Sequence, residues 1–162
     1  MIKKLLYLLV CALPVMGFTA CHDDDEDIPN VDFSIQISGG EYSDGQIYAV
    51  AGTDLTIEGI TVVNQEQGKG AMIPYANYYW DYSFLGQSVE QPYGYNIVIP
   101  EDYEPGNHVL EITCPVYAVD KAPAYAILSY PVVVVESADQ LPGDGTATAP
   151  ANAKISDTDP SK

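Results

Sequence analysis

Tyr75-Ala76-Asn77-Tyr78-Tyr79-Trp80-Asp81-Tyr82-Ser83-Phe84-Leu85 is the stretch whose phase decides how the rest of the chain is read. In an extended chain successive side chains point to opposite sides. Tyr78, Trp80, Tyr82 and Phe84 then share one face, and Tyr79, Asp81 and Ser83 share the other. The pattern predicts one strand from Tyr75 to Leu85, with Trp80 in a core and Tyr79 turned away from it.

Outward from this strand the same period recurs. Before it, Val31, Phe33, Ile35 and Ile37 alternate with Asp32, Ser34 and Gln36, and Ser38-Gly39-Gly40 turns the chain. A short strand is predicted over Ile47 to Ala51 and a longer one over Asp54 to Asn64. In the longer one Gly59 interrupts the apolar phase, as a bulge does. Asn64 to Pro74 reads as a loop. After the aromatic strand come Tyr95, Ile97 and Ile99, then the turn Glu104-Pro105-Gly106-Asn107, then His108, Leu110, Ile112 and Cys114 alternating with Val109, Glu111 and Thr113. A last strand is expected over Ala124 to Val135. Pro131 within it lacks a donor for the ladder and marks an edge or a break.

About seven short strands in roughly a hundred residues, spaced by turns, is the pattern of an immunoglobulin-like antiparallel sandwich. Two stretches sharpen it. Tyr78-Tyr79-Trp80-Asp81-Tyr82 resembles the Tyr-x-Trp-Asp-Phe-Gly-Asp-Gly strand of PKD domains. Pro105-Gly106-Asn107-His108-Val109-Leu110-Glu111-Ile112 resembles their later Pro-Gly-x-Tyr-x-Val-x-Leu strand. Ser83-Phe84-Leu85 departs from the Gly-Asp-Gly of that family, and His108 stands where Tyr is usual. The resemblance implies an Ig-like, PKD-like module of a surface protein over residues 31–137.

Residues 1–20 carry a different signal. Lys3 and Lys4 precede an apolar run from Leu5 to Met16 that is too short to span a bilayer, the form of a secretory signal peptide. Phe18-Thr19-Ala20-Cys21 is similar to the lipobox of bacterial lipoproteins, which implies that Cys21 is acylated and becomes the first residue of the mature chain. Each buried methylene of such an anchor contributes about 0.8 kcal/mol, so two or more chains hold a protein on a membrane without a spanning helix. Residues 21–30 then form a tether. Its run His22-Asp23-Asp24-Asp25-Glu26-Asp27 is similar to the export tag of Bacteroidetes surface lipoproteins, implying an outer-membrane, cell-surface location. At the other end residues 138–162 hold no aromatic side chain and are expected to form a flexible tail.

Charge narrows the function classes. The whole chain carries −17, with six Lys, no Arg and 23 acidic residues. Loss of Lys3 and Lys4 with the signal leaves four lysines against 23 acids, a formal −19. Nucleic acid needs a basic footprint, so it is excluded as a partner. Of three cysteines, Cys11 leaves with the signal and Cys21 takes lipid, so Cys114 is left as a free thiol on the apolar face of its strand.

No nucleophile, base and orienter converge in a sequence whose sandwich region holds one His, and catalysis is not expected. Loop carboxylates at Glu101, Asp102, Glu104 and Asp120 have no calcium-loop spacing, so no metal or cofactor is predicted. The expected function is binding or adhesion, to a glycan or a protein partner. Tyr75, Tyr79, Tyr93, Tyr95 and Tyr103 are the candidate contacts, because tyrosine offers rigid amphipathic area. The competing reading of these rings is that they cover the sandwich and its edges. A structural spacer or accessory subunit of an outer-membrane complex is the alternative function.

Overall fold

The computed structural model describes residues 27–160, so the expected signal peptide and the expected acylation site Cys21 lie outside the described residues. The regular structure there is almost all strand: β1 (Val31–Ser38), β2 (Gly40–Ser43), β3 (Gln46–Val50), β4 (Asp54–Asn64), β5 (Ala71–Met72), β6 (Ala76–Trp80), β7 (Ser83–Ser88), β8 (Tyr95–Val98), β9 (Gly106–Ala118), β10 (Ala124–Val135), β11 (Thr148–Pro150) and β12 (Asn152–Ser156). A single 3-10 turn at Ala138–Gln140 separates the last two strands from the rest.

Two sheets pack face to face as an immunoglobulin-like sandwich. The smaller runs β11-β1-β4-β8 and the larger β2-β3-β10-β9-β6-β7, with β12 added to β10 and β5 to β9. Alternation explains the packing. Val31, Phe33, Ile35, Ile37, Leu55 and Ile57 of the smaller sheet bury against Tyr78, Leu110, Ile112, Leu128, Tyr130 and Val132 of the larger one. Trp80 (9 % exposed) and Cys114 (1 % exposed) belong to the same core.

The sheet is built with local devices visible in the sequence. Gly39, at φ 73°, carries the chain from one sheet to the other. A Cβ there would lie 1.9 Å from the Asp54 carbonyl oxygen. The β1–β4 register slips where Gln36 faces Gly59 and Ile37 faces Ile57, which leaves Glu58 unpaired as a bulge residue. Pro131 is not at an edge. It sits inside β10, opposite Val109 of β9, at the place where the partner on β10's other flank changes from β12 (along Tyr125–Ser129) to β3 (along Val132–Val135). The missing donor falls in that break.

Three expectations need correction. The stretch Tyr75 to Leu85 is a hairpin rather than one strand. Asp81 and Tyr82 take φ of 47° and 65°, the positive values of a tight two-residue turn, and β7 returns antiparallel along β6. Tyr82 and Phe84 therefore leave the core face and are 75 % and 61 % exposed. Secondly, the sheet is not wholly antiparallel, since β3 runs parallel to β10. Thirdly, the segment expected as a flexible tail supplies two strands. β11 pairs with β1 and β12 with β10, and Ala149 is fully buried.

Candidate binding face

The expected contact tyrosines separate by sheet and face. Tyr93 is buried. Its hydroxyl donates to the Ile73 carbonyl at 2.5 Å, and its own carbonyl accepts from the Tyr78 hydroxyl. Tyr95 stacks on Tyr78 with centroids 4.7 Å apart and donates to the Leu85 carbonyl at 2.8 Å. It closes the open side of the sandwich between β8 and β7. Tyr103 packs edge-on to Trp80, and its hydroxyl accepts the indole N–H at 2.9 Å. All three rings thus make contacts within the sandwich, Tyr93 from a buried position, which takes it out of any ligand surface, and Tyr95 and Tyr103 from half-buried ones.

Tyr75 and Tyr79 are half-buried and lie with the outward side of the larger sheet. Strand register defines this face. Phe84, Tyr79, Glu111, Ser129 and Asn152 stand side by side across β7, β6, β9, β10 and β12. The next row is Gln87, Asn77, Thr113, Ile127 and Lys154. On β6 and β10 these positions alternate with core residues, so Tyr79, Asn77, Ser129 and Ile127 point away from the core, while Thr113 on β9 is itself buried. Tyr79 and Phe84 meet edge to face at 5.4 Å, and Gln87 donates to the Asn77 side chain at 2.8 Å.

Beyond these rows Tyr75 and Tyr125 flank Asp159, with Tyr117 beside them. Burial, then the Asp159 charge, raises the Tyr75 hydroxyl above its ordinary value. For Tyr125 the Asp159 charge acts first and burial second. Tyr117 and Tyr125 were not among the expected contacts. The phase of β10 carries the signal for Tyr125, because Ala124, Ala126 and Leu128 bury and their neighbours cannot.

At the far end of the hairpin lies a smaller polar assembly. His108 Nδ1 is 2.8 Å from Asp81 Oδ2, the imidazole stacks on Trp80 at 5.4 Å, and Asp81 Oδ1 accepts the Val109 amide at 2.9 Å. The Asp81 carboxylate thereby ties the β6–β7 turn to the start of β9. Among the described residues no cluster of three or more His, Cys, Asp or Glu side chains is placed to hold a metal ion.

No protein-family model and no curated protein matches the chain. Among solved structures it is similar to the fibronectin(III)-like modules of Clostridium thermocellum CbhA, at 19 % identity and a TM-score of 0.38. The match covers 65 % of this chain and 47 % of that one, so the chain spans about half the length of this neighbour.

Proposed function

We propose that the chain is a lipid-anchored cell-surface module that binds a neutral glycan on the outward face of its larger sheet, without catalysis. The observation that carries this reading is the pair of rows in which Tyr79 and Phe84 stand beside Asn77, Gln87 and Glu111. Aromatic faces cover the C–H surface of a pyranose ring, and neighbouring amides and a carboxylate meet its hydroxyls. The formal charge of −17 repels sulfated or uronate-rich chains, which leaves uncharged sugars as the fitting class. Tyr79→Ala should lower affinity for a neutral glycan at least tenfold on an array of neutral and acidic polysaccharides, with the melting temperature held. Binding of acidic glycans alone, or undiminished binding by the variant, would refute it.

A second reading, an accessory subunit of an outer-membrane complex, draws on β7. This strand is the outer edge of the larger sheet, carries no charged residue, and leaves Phe84 and Leu85 exposed. Such an edge suits addition of a partner strand. Recovery of one membrane protein from intact cells, abolished by Leu85→Lys and unaccompanied by sugar binding, would favour it over the glycan.

A further inference from the structure

The described chain begins at one end of the sandwich, and that end has a distinctive surface. The Asp27 carbonyl accepts the Ala122 amide at 3.3 Å, and its carboxylate lies 2.5 Å from Lys121 Nζ. Asp27 is thereby fixed beside the β9–β10 turn. Next to it an open cleft of about 350 Å³ is lined by Gly70, Ala71, Met72, Tyr117, Ala118 and Val119. Met72, Tyr117 and Val119 are 55 %, 45 % and 53 % exposed, although large apolar side chains are ordinarily covered where they cluster.

We infer that this cleft end rests on the surface of the lipid bilayer that holds the anchor, with Met72, Tyr117 and Val119 at the head-group boundary. The inference depends on the proposed acylation of Cys21. Five residues, and so six residue-to-residue steps, separate Cys21 from Asp27, a span of at most about 20 Å. Whatever course the tether takes, Asp27 and the cleft beside it stay that close to the lipid. The opposite end of the 11-residue β4 lies a further 35 Å or so away.

Lys121 pairs with Asp27 and Glu66, and Lys69 with Glu66 and Asp120, so two of the four lysines outside the signal segment offset carboxylates at this end. With two lysines against the three carboxylates Asp27, Glu66 and Asp120, the offset is partial. Tyrosine, methionine and valine side chains suit the boundary between head groups and acyl chains.

The test uses the full-length acylated protein in phosphatidylcholine–phosphatidylethanolamine vesicles, with an environment-sensitive dye on Val119→Cys or, as control, on Val98→Cys. Val98 is exposed and pairs with Asp54 at the other end of β4, and the buried Cys114 takes no label. Emission from position 119 should shift to the blue and be quenched by lipids brominated near the head group, at least twofold more than emission from position 98. Equal, water-like emission from both, in protein that carries a fatty-acid label lost in Cys21→Ser, would overturn the inference while leaving the anchor intact. A blue shift that grows with protein density at fixed lipid would also overturn it, assigning the cleft to a second copy. Absence of fatty-acid labelling would remove the anchor reading and the inference with it.

Discussion

Trp80 and Tyr79 are adjacent in sequence and opposite in environment. Trp80 is 9 % exposed, donates its indole N–H to Tyr103 and is covered by His108, whereas Tyr79 stands half-buried on the outer face beside Phe84. Trp80→Ala leaves a cavity and should cost roughly 3 to 5 kcal/mol, comparable with the whole stability of many small domains. Tyr79→Ala should shift the melting temperature by only a few degrees. Paired thermal melts decide this, and an unfolded Tyr79→Ala beside a folded Trp80→Ala would reverse the assigned faces. Cys114 permits a chemical version of the same question. Burial pushes its thiol up to about 12, so native protein should react with a thiol reagent far more slowly than denatured protein. The phase of Tyr78, Trp80 and Cys114 was legible because each alternates with polar neighbours. That of Tyr82 and Phe84 was not, since Asp81-Tyr82 lacks the Gly or Asn that usually announces a two-residue turn.

Strands with their own apolar face could be read directly from the sequence: β1, β3, β4, β8, β9 and β10 lie where alternation put them, and the Gly59 interruption is a bulge. β11 and β12 could not, for a physical reason. Thr148–Ser156 offers only Ala149, Ala151, Ala153 and Ile155 as apolar groups, too little surface to order a free segment. Its order comes from ladders on strands already in place, from Ser34–Gln36 of β1 and Tyr125–Ser129 of β10. The candidate face was half legible for a related reason, since rows across a sheet depend on register and no single strand reveals its neighbours. A chain ending at Asp144 tests the role of these strands. With each ladder hydrogen bond contributing about 1 kcal/mol net, loss of a few should lower the melting midpoint on the order of 10 °C. An unchanged midpoint in calorimetry would restore the flexible-tail reading.

At the scale of the whole molecule, stability should depend on alkaline rather than neutral pH. Burial raises Cys114 from 9.0 to about 12, and burial also raises Tyr78 and Tyr130 above 10.0. In each case the folded state holds the neutral form, so above the ordinary values the unfolded chain loses protons first. This contribution is fully present below about pH 9 and is lost as pH rises toward 12. Denaturant midpoints should stay level with respect to these groups from pH 7 to 9 and fall beyond, and Cys114→Ala should move the onset up toward pH 10, where the tyrosines begin. A midpoint unchanged to pH 11 would show that these groups are not buried. The late strands also set the order of assembly. β1 lies between β4 and β11, and the neighbour on its second flank is separated from it by more than a hundred residues. Contacts so distant in sequence form slowly, after the loops that join them have closed. If the chain is exported as proposed, threaded through a membrane from its first residue onward, that flank of the smaller sheet would therefore stay open until Pro150 had emerged, and the chain would pass as an unlatched thread before locking on the far side.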